Sequence, residues 1–121
     1  MKENRIEEKS LKERRAEGRR LRRENLEGRL RFAEGVLERL GAVPQPINEK
    51  NRELLGQRSA YLLNGVYYRI DREEYEGKVF IVLSAADEEK YAAVGLMEEI
   101  QAFSADASDE TVRKKIREAL S

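Results

Sequence analysis

Leu26, Leu30, Ala33, Leu37 and Leu40 recur at steps of four, three, four and three, the spacing that aligns side chains on one face of an α-helix. Val36 falls on the edge of the same stripe. Gly41 offers a left-handed stop, and Pro44 and Pro46 forbid continuation, so the spacing predicts a helix that ends near residue 40. Gly28 and Gly35 weaken it by about 1 kcal/mol each relative to alanine, which leaves packing to hold it.

Followed backwards from Leu26, the stripe changes character. The positions four, seven and eleven residues earlier are Arg22, Arg19 and Arg15. The upstream apolar residues Ile6, Leu11, Ala16 and Leu21 recur every five, and each such step turns a helix by about 140°, so they never share a face. Residues 1–25 therefore read as a charged, Arg-rich arm, frayed or continuing as a solvated helix, and residues 26–121 as one small domain. A single helix over residues 9–40 would be about 48 Å long at the α-helical rise. A compact body of about 80 residues is only about 30 Å across, so such an arm overshoots its own domain.

Residues 41–48, GAVPQPIN, read as a linker, with Asn48 placed to cap a following helix. Beyond it, Leu54, Leu55, Tyr61 and Leu62 share a helical face that Arg58 does not interrupt. Leu62–Leu63 breaks strand alternation, so a helix ending near 63 is the favoured reading. The alternative is a hairpin turning at Asn64–Gly65, a strong two-residue turn signal. A second hairpin is clearer: strands near 66–71 and 78–84 flank the polar loop DREEYEG. Val66, Tyr68 and Ile70 share one side of the first strand, and Val79, Ile81 and Leu83 one side of the second. Phe80 and Val82 make the second strand apolar on both sides, as suits a central strand. Two strands alone are marginal in water, so the sheet needs covering helices, a third strand or a second copy of itself. Asp87 reads as the cap of a helix near 87–103, with Tyr91, Ala93, Val94, Leu96, Met97, Ile100 and Phe103 on a wide apolar face. Ser108 caps a last helix near 108–120, seamed by Val112, Ile116 and Leu120. The fold class is α+β: a long charged N-terminal helix and a small antiparallel sheet packed by C-terminal helices.

The residues that are missing narrow function. The 121-residue chain has no Cys and no His, which removes thiolate chemistry, disulfides and the usual general base near neutral pH. No secretory leader or apolar run of membrane-spanning length is present, and a cytoplasmic location is the default expectation. The formal charge is zero, but residues 1–50 carry 14 basic and 10 acidic groups while residues 51–121 carry 10 and 14. A net +4 half and a net −4 half can attract one another, within a chain or between chains.

Candidate sites are few. The Arg15–Arg19–Arg22 stripe, with Arg14, Arg20 and Arg23 beside it, could track phosphates, but Glu13, Glu17, Glu24 and Glu27 oppose that use. No heptad zipper follows to fork such helices across a DNA groove. An acidic protein surface is the better fit, and DREEYE (71–76), Asp87–Glu89 and Glu98–Glu99 offer such surface in this same chain. Asp71, Glu73, Glu74 and Glu76 lack the alternating ligand spacing of a calcium loop and read as a solubilising turn. Ser84 and Tyr75 are the conceivable nucleophile or acid, without a visible base. No phosphate-binding loop, dinucleotide fingerprint or nucleophile elbow occurs, and no cofactor or metal is implied. The sequence thus leads to a non-enzymatic interaction or regulatory module that self-associates through a basic helical arm; nucleic-acid binding by that arm is the alternative.

Overall fold

The computed structural model describes residues 11–46 and 58–121, and side chains within the first helix from residue 25 onward. That helix, α1 (Leu11–Arg39), is continuous over 29 residues, about 43 Å at the α-helical rise. It stops where the sequence indicates. Gly41 takes φ +103°, and the Ala42 N–H returns to the Leu37 carbonyl at 3.0 Å, closing the last turn. Leu30, Ala33, Val36 and Leu37 are buried, Leu26 is partly buried against them, and Leu40 lies at the surface.

Five antiparallel strands follow in a meander, each paired with the next: β1 (Val43–Gln45), β2 (Ala60–Leu63), β3 (Val66–Tyr75), β4 (Lys78–Ala86) and β5 (Glu98–Ser104). A short helix α2 (Glu89–Ala93) connects β4 to β5, and α3 (Asp109–Leu120) ends the chain. Alternation along the strands sends Tyr61, Tyr68, Ile70, Ile81, Leu83 and Phe103 to one face. There they form a single core with the α1 stripe and with Val112 and Ile116 of α3. The other face carries Ala60, Val82, Ser84 and Ala86, all buried, so β4 is enclosed on both sides.

The α+β architecture and the capped last helix stand as read from the sequence. Ser108 Oγ accepts the Thr111 N–H at 3.2 Å, and Val112 and Ile116 are fully buried. Five local readings are corrected. Residues 60–63 are β2 rather than the end of a helix: Asn64 and Gly65 have φ +50° and +81°, the paired left-handed residues of a tight hairpin turn. All four β2 residues pair with β3, and this ladder outweighs local helical spacing. Asn48 and most of that expected helix lie outside the described residues.

Within the expected linker, residues 43–45 add an edge strand to β2; Pro44 is tolerated because an edge position need not donate to a further strand. The polar loop 71–77 shrinks to Glu76–Gly77, since β3 and β4 stay paired out to Tyr75 and Lys78. The helix expected near 87–103 ends after one turn. Gly95 at φ +77° lets the Leu96 N–H reach the Tyr91 carbonyl at 2.8 Å and the Gly95 N–H reach that of Ala92 at 3.2 Å, a two-bond helix stop. Glu98–Ser104 then extends along the open edge of β4, whose buried backbone groups need partners on both sides. Glu88, not Asp87, is the residue before α2, and its side chain makes no capping bond.

Candidate functional site

The two ends of the sheet differ, and the direction of α1 sets which end its arm leaves from. Gly41, just past the helix, lies beside the β2–β3 turn: a Cβ added to it would stand 3.5 Å from Leu63 Cδ1. Twelve residues earlier, Arg29 reaches the opposite end. Its Nη2 donates to the Ala107 carbonyl at 2.6 Å and its Nη1 pairs with Asp109. Ala107 in turn hangs from Ser104, which faces Phe80 near the start of β4. Arg29 and Arg113 both stand over the Phe32 ring, at 5.2 and 5.4 Å from its centroid, which joins α1 to α3 by cation–π contact. The α1 backbone continues for 18 residues before Arg29, about 27 Å of helix, away from the β2–β3 end. Arg15, Arg19 and Arg22 lie on this stretch; their side chains are outside the described residues.

At the end from which the arm departs, the β3–β4 hairpin carries Glu73, Glu74 and Glu76, all exposed, around Tyr75. Asp71 is engaged elsewhere: its Oδ2 accepts from Arg69 Nε at 2.5 Å. Among the described residues no cluster of His, Cys, Asp or Glu is arranged to hold a metal ion. Tyr75 and Ser84 are not brought together, because Tyr75 pairs with Lys78 while Ser84 lies six residues further along β4, about 20 Å in a strand. Ser84 itself is buried.

At the opposite end, five carboxylates gather where β4 stops. Asp87, Glu88 and Glu89 follow Ala86 directly, and the pairing of β5 sets Glu98 against Ala85 and Glu99 against Ser84. All five are exposed. Among them lie Tyr91, Val94, Leu96 and Ile100, four of the seven exposed large hydrophobics of the described residues; Val94 and Leu96 are 61% and 68% accessible. The helix stop at Gly95 creates this surface by folding Leu96 back toward Tyr91. Lys90 Nζ stands 5.0 Å from the Tyr91 ring centroid and 3.3 Å from Glu88, so the ring already faces a cation. The sequence reading assigned these apolar residues to a buried helix face. Gly95 was the signal against that, since a glycine flanked by short helical runs marks a stop.

A third cluster was missed entirely. Arg58, just before β2, donates through Nε and Nη2 to the two oxygens of Glu34, each at 2.8 Å, and through Nη1 to Glu27 at 3.0 Å. Glu27 also receives Arg31 Nε at 3.1 Å. The bond from Arg58, set against the opposing effect of burial, holds the Glu27 carboxyl below its ordinary range, and the bonds to Glu34 first and Glu27 next, again against burial, hold the Arg58 guanidinium above its own. Tyr61 is pushed up to about 12, first by burial and then by the charges of Glu34 and Glu38. Half the cluster was legible: Glu34 follows Leu30 by four and precedes Leu37 by three, an acid in a core stripe, and Glu27 lies seven residues before it. Nothing local marked Arg58 as the partner. The cluster clamps α1 to the sheet. On the face away from α1, Arg69 Nη1 is buried without a hydrogen-bond partner among the described residues.

Comparison with protein-family models, with curated proteins and with solved structures finds no match to this chain. No helix among the described residues is long and apolar enough to cross a membrane.

Proposed function

We propose that this protein is a non-enzymatic interaction module that self-associates, its basic helical arm docking on an acidic protein surface. One observation carries the reading. Among the described side chains of α1 the first packed against the core is Leu26, and the same unbroken helix extends back to Leu11. A long helix whose sequence holds seven basic and three acidic residues over 11–25 gains from a charged surface to rest on. The chain itself offers exposed carboxylates at both ends of its sheet.

The test is the mass of the full chain in solution, followed by light scattering after size-exclusion chromatography, against a variant with Arg15→Glu, Arg19→Glu and Arg22→Glu. Oligomers in the wild type that fall to monomer in the variant, with unchanged circular dichroism, support the reading. Equal masses for the two remove it. A monomeric wild type that is retained on a DNA column at low salt and released by about 200 mM salt replaces it with nucleic-acid binding.

A further inference from the structure

We infer that the arm of one molecule docks on the acidic, apolar-centred end of a second copy, at Tyr91, Val94, Leu96 and Ile100 between Asp87–Glu89 and Glu98–Glu99, and that assembly runs head-to-tail. This rests on the arm reading given above and adds the acceptor site and the symmetry.

Charge complementarity selects the occupant. Residues 87–99 hold five carboxylates and one lysine, net −4, against net +4 for residues 11–25. Two acidic ends repel one another, which disfavours a symmetric pairing of this surface with itself. The apolar centre suits arginine in particular. Arginine lays its aliphatic stem on apolar surface while its head stays solvated or paired, and its guanidinium stacks on an aromatic ring. Val94 and Leu96 supply apolar surface, Tyr91 supplies the ring, and the surrounding glutamates supply the acceptors. The arm has no apolar stripe of its own, so it needs a surface that recognises arginine rather than leucine. The β3–β4 tip is a poorer acceptor: Tyr75 is its one exposed large hydrophobic, and Arg72 and Lys78 offset its acids.

Geometry makes the contact intermolecular. Arg29 stands beside the start of β4, whereas the acceptor follows the end of β4. Phe80 to Ala86 alone spans about 20 Å of strand, and α1 runs unbroken in the other direction. An arm cannot reach the acceptor of its own chain without breaking its helix. In a head-to-tail contact an open assembly keeps one free arm and one free acceptor and so can grow or close into a ring, whereas two chains that exchange arms reciprocally close at a symmetric dimer.

Sedimentation velocity on the full chain over a concentration series, at about 50 and 500 mM salt, tests this with three sets of substitutions. The arm set is Arg15→Glu, Arg19→Glu and Arg22→Glu; the acceptor set is Glu88→Lys, Glu98→Lys and Glu99→Lys; the tip set is Glu73→Lys, Glu74→Lys and Glu76→Lys. Leu96→Ser is a second acceptor variant, at a side chain whose exposure makes misfolding a poor explanation of any loss. The wild type is expected to grow in mass with concentration and to dissociate in salt. The arm set and the acceptor set are each expected to weaken association at least about tenfold, Leu96→Ser to weaken it, and the tip set to leave it unchanged. Mixing the arm set with the acceptor set sets each arm against an acceptor of opposite charge on the other chain, native charges at one contact and exchanged charges at the next, and should restore growth that neither set shows alone. Combining both sets in one chain should restore assembly with the charges exchanged. Loss of association in the arm set alone overturns this acceptor while leaving the arm reading intact, as does loss in the tip set. A wild type that halts at a symmetric dimer overturns the head-to-tail geometry. A wild type that is monomeric throughout overturns both.

Discussion

Replacing Arg58 with leucine strips Glu34 of its cation in a place where water reaches poorly. The Arg58 and Glu34 side chains are 18% and 11% exposed, and three bonds of 2.8, 2.8 and 3.0 Å are lost. Breaking a fully buried pair by removing one partner costs about 3–5 kcal/mol, because an uncompensated charge remains. Here part of each group meets solvent, and Glu27 is about half exposed, so its share is small; about 2–3 kcal/mol is expected for Arg58→Leu. In a domain of about 100 residues that lowers the melting temperature by roughly 8–24 °C. The pair Arg58→Leu with Glu34→Leu strands no charge and should return to within about 1 kcal/mol of the wild type. Urea denaturation at pH 7, followed by circular dichroism, measures both. A cost below about 0.5 kcal/mol for Arg58→Leu, or a double variant less stable than the sum of the singles, would refute the assignment of this cluster as the clamp between α1 and the sheet. The same cluster has an acid limb. The Glu27 carboxyl is lowered from its ordinary 4.5, so the stability it contributes is present above that pH and lost as pH falls through the folded value. Arg58→Leu should flatten this part of the acid titration of stability.

Three further outcomes follow from single residues. Ser108→Ala removes the acceptor of the Thr111 N–H and should cost about 1 kcal/mol in urea denaturation. Glu76→Gly should stabilise the protein by about 0.5–1 kcal/mol, because Glu76 holds φ +51°, a backbone conformation that glycine adopts without steric penalty; a loss of stability would show that the glutamate side chain matters at the hairpin tip. Tyr61 titrates at about 12, above its unfolded value near 10. Stability should therefore be intact below pH 10 and decline as pH rises toward 12, less steeply in Tyr61→Phe.

The chain alone determined the parts that depend on near neighbours. The α1 stripe from Leu26 and its stop at Gly41, the β3–β4 alternation, and the Ser108 cap with Val112 and Ile116 all follow from spacings of a few residues, because helical and strand faces are set by local periodicity. The absence of Cys and His likewise removed whole classes of chemistry without any fold. What only the tertiary structure decided lies where a short apolar run suits either geometry. Ala60–Leu63 and Glu98–Ser104 are strands because β3 and β4 present unpaired backbone edges that must be satisfied, a demand made by residues distant in sequence. That same choice turned Tyr91, Leu96 and Ile100 outward and formed the acidic end of the sheet. The pairing of Arg58 with Glu34, 24 positions apart, was decided in the same way: a charge can be seen in a sequence, but the opposite charge that neutralises it is chosen by how the chain folds back.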